Sequence, residues 1–401
     1  MVLNTMKILI VCQFYYPENF VISKIAEKLV EYGHDVTVLT GKPNYGYGYI
    51  LPAYENVTSE VIGGVKVERV KLYPRKQTRL SIIKNYLSFW KNSKKWIKKC
   101  HEQFDIVYSM SLSPVTILSA GNIYKKKHGV HHVVHCVDLW PESVLVTHAV
   151  KKNSLTYRVL YSWSKKLYSK ADQILIGSPS FEEYFHKVLK IDSIEFKFVP
   201  QPSMIEQSDL PPFPFDKDYF NILYCGNLGI IQEIPYIVEA MKQLKGSKIR
   251  FNIIGMGPYS NYLENKIKEH GLGENIIYYG PMPASQASAY VKGADALYVP
   301  LKDDGYVGKT IPNKLVMSMA FAKPILAMLE GDGKDILVES GGAIFASQSI
   351  DGLLSGIKAI SGMNKKDLDR FGKNNLLYYQ SHFTLDKISR DIEAELLKKS
   401  R

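Results

Sequence analysis

A short polar segment, GKTIPNK at residues 308–314, combines residue types that bind anions. Lys309 and Lys314 carry ammonium groups, and Thr310 and Asn313 add hydrogen-bond donors. The segment leads into a helix-like apolar run, so backbone N–H groups and the positive end of a helix dipole would lie beside the lysines. A lysine ammonium acts on phosphate as a point charge. The segment therefore predicts a phosphate site, although the helix behind it contains no carboxylate.

A second candidate is the glycine-containing turn YCGNLG at residues 224–229, which follows the strand-like run NIL. Gly226 and Gly229, on either side of Asn227, would let the backbone approach a phosphate closely. A plain tight turn is the alternative. The turn lacks the P-loop pattern, and the first strand-like run of the chain is not followed by Gly-x-Gly-x-x-Gly. These absences argue against a P-loop NTPase and against a nicotinamide or flavin enzyme.

The first half of the chain contains a histidine and a carboxylate at the end of a strand-like run, VVHCVDL. His135 and Asp138 could perform general acid–base chemistry or hold sugar hydroxyls. The alternative is a buried histidine bonded to backbone and a carboxylate that caps the next helix.

These candidates all lie near strand-like runs, which alternate with helix-like segments along the whole chain. This alternation predicts parallel sheets covered by helices. With 401 residues the chain is too long for one ordinary core. The proline-rich segment PQPSMIEQSDLPPFP separates two such series, and it is typical of a linker. We therefore predict an α/β protein with two doubly wound domains, at 1–200 and 215–383, and a linker at 201–214.

Composition narrows the class of protein further. No apolar run reaches the roughly 18–20 residues of a membrane-spanning helix. The first residues, MVLNTMKILIV, lack the order of features of a signal peptide, so we expect a cytoplasmic protein. The four cysteines are far apart, which favours isolated thiols over a metal site or a disulfide. The net charge of +12 suits phosphorylated ligands, an anionic membrane or nucleic acid.

Much of the positive charge is concentrated at residues 81–99, SIIKNYLSFWKNSKKWIKK. Helical spacing would place many of the aromatic and aliphatic side chains on one side and lysines on the other. Such a helix is suited to an anionic bilayer surface. The alternative is an ordinary surface helix packed on its own domain. Nucleic acid is not expected as a partner, because no recognition motif accompanies the charge.

Seven segments, in this order, resemble the family 4 retaining glycosyltransferases: FYYPENFVISKIAEKLVEYGHDVTVLTGKPNYGYG, VDLWPES, ADQILIGSPSFEEYF, ILYCGNLG, NIIYYGPMP, ADALYVPL and PNKLVMSMAFAKPIL. The second and last segments look most like enzymes of bacterial surface-polysaccharide and O-antigen assembly. A group of enzymes assigned as fucosamine transferases is among them.

The resemblance implies the GT-B fold, in which two Rossmann-like domains face each other across a cleft. It further implies that the last helix, at 384–401, returns to the first domain. The implied reaction moves a sugar from a nucleotide donor, usually a UDP-sugar, with retention at the anomeric carbon. No catalytic metal and no cofactor are expected. The implied acceptor is a saccharide linked to a polyprenyl pyrophosphate, on the inner face of the cytoplasmic membrane.

The resemblance also assigns roles to residues of this sequence. The expected donor-binding residues are Asn19, Gly226, Asn227, Gly229, Gly280, Pro281, Met282, Lys309, Thr310, Asn313 and Lys314. Among these, the turn at 280–282 would contact the nucleobase, and the lysines would stabilise the leaving diphosphate. Tyr45 and Tyr47, in a glycine-containing loop, are expected on the acceptor side, where a plain surface turn is the alternative.

Four positions depart from the family pattern. Lys309 and Met317 stand where the family has the two glutamates of its Glu-x7-Glu motif, and the second of these glutamates usually holds the ribose. Asn227 and Gln232 stand where the family has a basic pair. The neighbouring Asp303 or Asp304 is the candidate to replace the missing carboxylate, and we assign Asp304 to catalysis with His135 and Asp138.

Three functions compete at this point. A membrane-associated glycosyltransferase is the leading hypothesis. A UDP-sugar 2-epimerase of the same fold would interconvert sugars without net release of nucleotide. A non-catalytic nucleotide-sugar-binding protein is suggested by the absent glutamates.

Overall fold

The computed structural model describes residues 5–76, 78–146, 150–203 and 209–400. The chain forms two compact units, one of Met1–Gln201 with Leu385–Arg401 and the other of Pro202–Thr384. We call them unit 1 and unit 2. The predicted linker includes residues 204–208, which lie outside the described residues.

Unit 1 is built on an eight-stranded sheet. Its strands are β1 (Lys7–Val11), β2 (Asp35–Gly41), β3 (Ser59–Ile62), β4 (Val65–Val70), β5 (Ile106–Ser111), β6 (His131–Cys136), β7 (Gln173–Ile176) and β8 (Glu195–Phe198). The order in the sheet is β3-β4-β2-β1-β5-β6-β7-β8. Only β3 pairs antiparallel, with β4. The order reverses between β1 and β5, so the carboxyl ends of these strands mark the crevice where such sheets bind ligands.

The central strands of unit 1 are buried almost without interruption. β5 is buried at all six positions and β1 at four of five. Such runs are typical of parallel strands covered on both faces. Helices supply that cover: α1 (Val21–Glu31), α2 (Arg79–Lys99), α3 (Leu118–His128), α4 (Glu142–Val146), α5 (Leu155–Tyr168) and α6 (Ser180–Lys187).

Unit 2 is built on a six-stranded, fully parallel sheet. Its strands are β9 (Phe220–Cys225), β10 (Ile249–Ile254), β11 (Ile276–Tyr278), β12 (Ala296–Pro300), β13 (Ile325–Met328) and β14 (Ala343–Phe345). The order is β11-β10-β9-β12-β13-β14, and it reverses between β9 and β12. A ligand is therefore expected outside the carboxyl ends of these two strands.

Both faces of the second sheet carry a hydrophobic core. Alternate residues of β9 enter different clusters, Ile222 and Tyr224 one and Leu223 the other, as the pleat of a strand requires. The helices are α7 (Ile234–Gln243), α8 (Ser260–His270), α9 (Ala284–Gly293), α10 (Gly305–Gly308), α11 (Asn313–Ala320), α12 (Asp332–Ser340), α13 (Ile350–Ser361) and α14 (Lys365–His382). The predicted α/β class with two Rossmann-like domains is confirmed.

The last helix, α15 (Leu385–Lys399), belongs to unit 1. Its Asp386 accepts a hydrogen bond of 2.8 Å from the hydroxyl of Tyr32, and Glu393 lies 3.0 Å from the ring of His34. Farther along, Glu395 accepts a 2.7 Å bond from the Gln173 amide. These contacts fix α15 against α1 and β7.

Among the helices of the described residues, none combines the length and hydropathy needed to cross a membrane.

Candidate functional site

The loop after β9 packs so closely against the loop after β10 that only glycines fit at the contact. Gly226 and Gly255 have φ angles of +151° and +135°, which L side chains rarely adopt. A Cβ atom on Gly255 would lie 1.8 Å from the carbonyl oxygen of Gly226. The N–H of Gly226 donates to the carbonyl of Ile254 (2.9 Å). The two loops therefore form a fixed backbone platform at the carboxyl edge of the sheet.

Lys314, the second residue of α11, extends over this platform. Its Nζ donates a hydrogen bond of 2.7 Å to the hydroxyl of Tyr224 and lies 4.5 Å from the centroid of that ring. The Tyr224 hydroxyl in turn donates to the carbonyl oxygen of Asn227 (2.5 Å). A Cβ atom on Gly226 would lie 2.6 Å from Lys314 Cε. The lysine is thus held directly against the glycine turn.

The Lys314 ammonium lacks a negative partner. Within the described parts of the chain, it forms no ion pair with a carboxylate. Burial lowers its pKa to about 7, and the nearby Cys225 opposes this shift. An ammonium removed from water without a counter-ion is unfavourable, so an anionic ligand at this position would gain a strong interaction.

Two amide side chains flank the same turn. Gln232 is only 8% exposed, and its Oε1 has no hydrogen-bond partner. A Cβ atom on Gly229 would lie 2.5 Å from that oxygen and 2.6 Å from Asn227 Nδ2. These are the two positions at which the family resemblance places a basic pair. The turn therefore presents hydrogen-bonding amides, and Lys314 supplies the positive charge.

Three other residues of the 308–314 segment were predicted to bind the donor, of which Lys309 and Asn313 are exposed and Thr310 is partly exposed. Lys309 lies 5.8 Å from the ring centroid of Tyr306. The hydroxyl of Thr310 donates to the carbonyl of Val307 (3.0 Å), which leaves its oxygen free to accept. Asn313 is the exposed first residue of α11, where the backbone N–H groups have no partner within the helix.

The turn at 280–282 reaches the same edge of the sheet. Gly280 has a φ angle of +71°, and its carbonyl accepts a hydrogen bond of 2.9 Å from the N–H of Gly255. Pro281 is exposed. Met282 packs against the cluster that contains Met317, which is 8% exposed. Met317 is therefore a core residue. It stands where the family has its ribose-binding glutamate, so this position offers no polar group to a ribose.

The candidate replacement, Asp304, lies in the loop after β12. It is exposed and immediately precedes α10, and the N–H of Asp303 donates to Gln348 Oε1 (2.9 Å). A carboxylate that the sequence analysis missed lies near this loop. Glu233 adopts a left-handed conformation (φ +47°, ψ +41°), and its Oε1 lies 3.7 Å from Lys302 Nζ. Strained backbone of this kind is concentrated at functional sites, but no sequence signal marks it.

The catalytic role predicted for His135 is corrected by its surroundings in unit 1. The side chain is fully buried, Nε2 donates to the carbonyl of Val199 (2.8 Å), and Nδ1 accepts from the hydroxyl of Tyr108 (2.8 Å). Burial lowers its pKa to about 4, so the ring is neutral. With both nitrogens bonded inside the core, neither can exchange a proton with a substrate.

Asp138 remains available for chemistry. It follows β6, is partly exposed, and accepts a hydrogen bond of 3.4 Å from the hydroxyl of Ser113. Burial of the carboxyl raises its pKa, and the Ser113 hydroxyl opposes that shift. The same hydroxyl accepts from Trp140 Nε1 (2.8 Å). Ser113 therefore positions Asp138, a role for which the sequence offered no motif.

The predicted acceptor-side residues, Tyr45 and Tyr47, lie in the loop after β2, which a buried carboxylate joins to the loop after β1. Glu18 Oε1 accepts from the backbone N–H groups of Asn44 (2.6 Å) and Tyr45 (2.5 Å). This connects the loop after β1, which contains the exposed Asn19, with the loop after β2. Tyr45 and Tyr47 are 43% and 49% exposed. Asn19, predicted to bind the donor, thus lies in unit 1 with the tyrosines.

Each unit therefore collects its predicted residues at the carboxyl edge of its own sheet. Unit 2 brings together the glycine turn, the turn at 280–282 and Lys314. In unit 1, Asp138 follows β6 and the tyrosine loop follows β2, each at the carboxyl end of its strand. A cluster of histidine, cysteine and carboxylate side chains that could hold a metal ion is not found among the described residues.

Two family models match the chain, one after the other. The glycosyl transferase 4-like domain matches residues 19–201, and the glycosyl transferases group 1 model matches residues 206–376.

Proteins similar in sequence to this chain carry glycosyltransferase names. "Probable glycosyltransferase WbjE" of Pseudomonas aeruginosa is 27% identical over 238 residues, which are 56% of this chain and 58% of that protein. "Putative colanic acid biosynthesis glycosyltransferase WcaL" of Salmonella typhimurium is 32% identical over 108 residues, 26% of each chain. The matches thus span little more than half of the first relative's length and about a quarter of the second's.

Solved structures match over almost the whole chain. Sucrose-phosphate synthase from Thermosynechococcus elongatus has a TM-score of 0.74 at 15% identity and covers 98% of both chains. Anabaena Alr3699/HepE, solved in complex with UDP-glucose, has a TM-score of 0.68 at 15% identity, with 98% and 100% covered. WaaG, a glycosyltransferase of lipopolysaccharide biosynthesis, has a TM-score of 0.64 at 12% identity, with 98% and 99% covered. The fold and the two matched domain families together show that the chain belongs to the GT-B glycosyltransferases.

Proposed function

We propose that this protein transfers a sugar from a nucleotide-sugar, most simply a UDP-sugar, to a saccharide on a polyprenyl pyrophosphate. The observation that carries the proposal is the partly buried ammonium of Lys314, which lies against the glycine turn of unit 2 and forms no ion pair with a carboxylate of the described residues. A nucleotide-sugar carries a diphosphate, which would supply the missing negative charge. Alr3699/HepE, which shares the fold, has been solved with UDP and with UDP-glucose, and this supports a uridine nucleotide.

Chemically, the proposal requires stabilisation of the leaving diphosphate. Negative charge grows on that group as the glycosidic bond breaks, so fixed donors aimed at it lower the barrier. Lys314, the amides of Asn227 and Gln232, and the N–H groups at the start of α11 are such donors. These groups can act without a catalytic metal, and we propose a metal-independent hexosyl transfer.

The acceptor is assigned to unit 1. Asp138, a partly exposed carboxyl with a raised pKa, is suited to bind the acceptor hydroxyl and take its proton. Tyr45 and Tyr47 expose rings against which a sugar can pack. We propose retention of anomeric configuration, which the family resemblance implies, and a donor sugar that is an N-acetylated hexosamine or deoxyhexosamine, such as fucosamine.

The pathway proposed is surface-polysaccharide synthesis, of the O-antigen or capsule type. The names of two similar proteins support it, since WcaL is assigned to colanic acid and WaaG to lipopolysaccharide. We place the enzyme in the cytoplasm, peripherally bound to the inner face of the cytoplasmic membrane.

Helix α2 supports membrane binding, although its geometry differs from the predicted two-sided pattern. The side that packs on unit 1 consists of Ser81, Asn85, Phe89, Ser93 and Ile97. The aliphatic residues Leu80, Ile83 and Leu87 are instead 62%, 53% and 44% exposed, next to exposed lysines. The difference arises because Ser81, Asn85 and Ser93 share the packed side with two bulky residues, so other aliphatic side chains of the helix lie outside the contact with the domain. An exposed aliphatic row among lysines is suited to an anionic bilayer.

A two-stage experiment tests the proposed function. A panel of UDP-sugars is first screened for protection against thermal unfolding, because a bound donor stabilises the fold by mass action. The donor that protects is then incubated with and without a polyprenyl-pyrophosphate-linked saccharide. We expect UDP release only with the acceptor. Interconversion of the sugar without acceptor would instead identify a 2-epimerase.

A non-catalytic nucleotide-sugar-binding protein is the second candidate, because Met317 replaces the family's ribose-binding glutamate and is itself buried in apolar surroundings. Protection by UDP without turnover across the donor and acceptor panel would support it.

A further inference from the structure

Arg75, in the loop between β4 and α2, has a fixed backbone, and its charge has no ion-pair partner among the described residues. Its N–H donates to Asn44 Oδ1 (2.8 Å), and that oxygen also accepts from Asn85 Nδ2 (3.1 Å). Asn44 and Asn85 are fully buried. The loop after β2 and helix α2 thus hold Arg75 at the carboxyl edge of the unit 1 sheet.

Aromatic rings surround the guanidinium group. Its central carbon lies 4.9 Å from the ring centroid of Tyr45, 5.4 Å from that of Tyr86 and 6.0 Å from that of Phe14. Phe14 and Tyr45 also pack edge to face, with centroids 4.9 Å apart. We call this group the arginine cage. Rings interact with the positive charge but offer few acceptors to its N–H groups.

Most donors of the cage remain unused. A guanidinium has five N–H donors. The structure shows one of them bonded, Arg75 Nη1 to the hydroxyl of Tyr86 (3.1 Å). In the described residues no carboxylate forms an ion pair with Arg75. Asp138 acts electrostatically on Tyr86 but is not paired with the arginine. A guanidinium with open donors is suited to bidentate binding of phosphate or carboxylate oxygens.

Beside the cage lies the exposed aliphatic row of α2. Tyr86, which accepts from Arg75, is adjacent in the chain to Leu87, and Ile83 lies one turn earlier on the helix. Lys84, two residues before Tyr86, lies 5.4 Å from the ring centroid of Tyr73. The Arg75 cation therefore lies in the loop that leads into α2, and the exposed aliphatic side chains lie on the first turns of that helix.

We infer that the arginine cage binds the diphosphate of a polyprenyl-linked acceptor, with the first isoprene units lying on Leu80, Ile83 and Leu87. A soluble sugar acid would use the cation but would gain nothing from the aliphatic row, so the combination favours the lipid diphosphate. The identity of the acceptor rests on the proposed function. The anion site itself does not, because it is built from unit 1 alone.

The test is a titration of the full-length protein, labelled with ¹⁵N in its arginine side chains, followed by NMR. The Nε–H signal of Arg75 is identified by its loss in Arg75→Lys. The probes are farnesyl diphosphate, inorganic pyrophosphate and glucuronate. We expect the Arg75 signal to shift saturably with farnesyl diphosphate, at a Kd at least tenfold below that for pyrophosphate or glucuronate. Arg79, an exposed arginine on the first turn of α2, is the internal control.

Any one of three results would overturn the inference. An Arg75 signal that does not move, or that moves only as Arg79 does, removes the anion site. Equal affinity for farnesyl diphosphate and pyrophosphate would show that the isoprene chain does not contribute to binding. Tighter binding of glucuronate would show that the site prefers a sugar acid. Failure of the proposed function is a separate event, namely the absence of any UDP-sugar that protects the protein from unfolding. In an active enzyme, Arg75→Gln should raise the KM for the lipid acceptor at least tenfold and leave that for the UDP-sugar unchanged.

Discussion

The ammonium of Lys314 donates a 2.7 Å hydrogen bond to the hydroxyl of Tyr224, and this neutral hydroxyl is its bonded partner in place of a carboxylate. The Tyr224 hydroxyl donates its own hydrogen to the carbonyl oxygen of Asn227 in the glycine turn, as a hydrogen bond. The pair therefore fixes the lysine against the turn without neutralising it. A positive charge kept in this way destabilises the empty protein and strengthens binding of an anion.

Replacing Lys314 with methionine should separate stability from binding. Lys314→Met removes a buried charge and keeps most of the side-chain volume, so we expect the free energy of unfolding to rise by about 1–3 kcal/mol. Affinity for the UDP-sugar should fall at least tenfold, because a charge-assisted contact to phosphate is lost. Chemical denaturation and calorimetry measure the two effects. Lys268→Met, at an exposed lysine of α8, is the control and should change neither. Lower stability with unchanged affinity would contradict this role.

The affinity for a UDP-sugar should depend on pH because of the same lysine. Its pKa in the empty protein is lowered to about 7, and a bound diphosphate would raise it. Below pH 7 the ammonium is already formed, so the affinity should be constant. Above pH 7 binding must first take up a proton, so the affinity should fall by up to about tenfold per pH unit. Calorimetry between pH 6 and 8.5, in buffers of different ionisation enthalpy, should detect that proton uptake. A flat profile in the wild type, or an unchanged slope in Lys314→Met, would argue against the mechanism.

The contact between the glycine loops should tolerate no side chain. Gly255→Ala places a Cβ atom 1.8 Å from the carbonyl oxygen of Gly226 at a φ angle of +135°, so backbone must move. We expect a loss of about 2–4 kcal/mol in unfolding free energy and the loss of UDP-sugar binding. Gly273→Ala is the matched control, because a Cβ atom there meets nothing within 4 Å. Similar behaviour of the two variants would show that the platform is not rigid.

The sequence was sufficient to predict the two sheets and the glycine turn because their signals are local. Parallel strands buried on both faces appear as apolar runs, and a helix start beside lysines is visible within seven residues. Contacts that join distant residues left no such signal. Tyr224 and Lys314 are 90 residues apart, and a tyrosine in a buried strand looks like any other core residue.

His135 and Arg75 show that sequence alone can assign a role to a buried residue and can miss a residue that has one. A histidine near a strand end has the same appearance in sequence whether it faces substrate or core, and here the carbonyl of Val199, 64 residues away, decides the matter. Arg75 belongs to no motif, and its importance depends on rings from three other segments of the chain. On α2 the spacing indicated an amphipathic helix, but only packing shows which of its sides is exposed.

Membrane binding should depend on the aliphatic row of α2. We expect the triple variant Leu80→Ser, Ile83→Ser and Leu87→Ser to bind vesicles that contain phosphatidylglycerol at least tenfold more weakly. Each replaced side chain loses about 1 kcal/mol or more of the free energy gained by burial in the bilayer. Because these side chains are exposed, stability should change little. Val61→Ser, at a 72% exposed residue of β3, is the control for loss of an exposed aliphatic group. Co-sedimentation with vesicles measures the effect, and equal binding of the triple variant and the wild type would exclude α2 as the contact.

The last prediction concerns the carboxyl of Asp138 and its raised pKa. If the ionised form takes the proton of the acceptor hydroxyl, kcat should fall as the pH drops through that pKa. The fall should begin at a higher pH than for an exposed aspartate, because burial favours the inactive, protonated form. Asp138→Asn should lower kcat by about 100-fold or more, abolish this acid limb, and leave the Kd of the UDP-sugar unchanged. Asp35→Asn, at the exposed start of β2, is the control and should retain both the rate and the pH profile. His135→Gln supplies the contrast: it should lower the melting temperature, because Val199 or Tyr108 loses a buried partner, while the kcat of the folded fraction stays within about threefold of the wild type. A full rate in Asp138→Asn would remove this residue from the reaction, and a loss of kcat in folded His135→Gln would restore the role first predicted for the histidine.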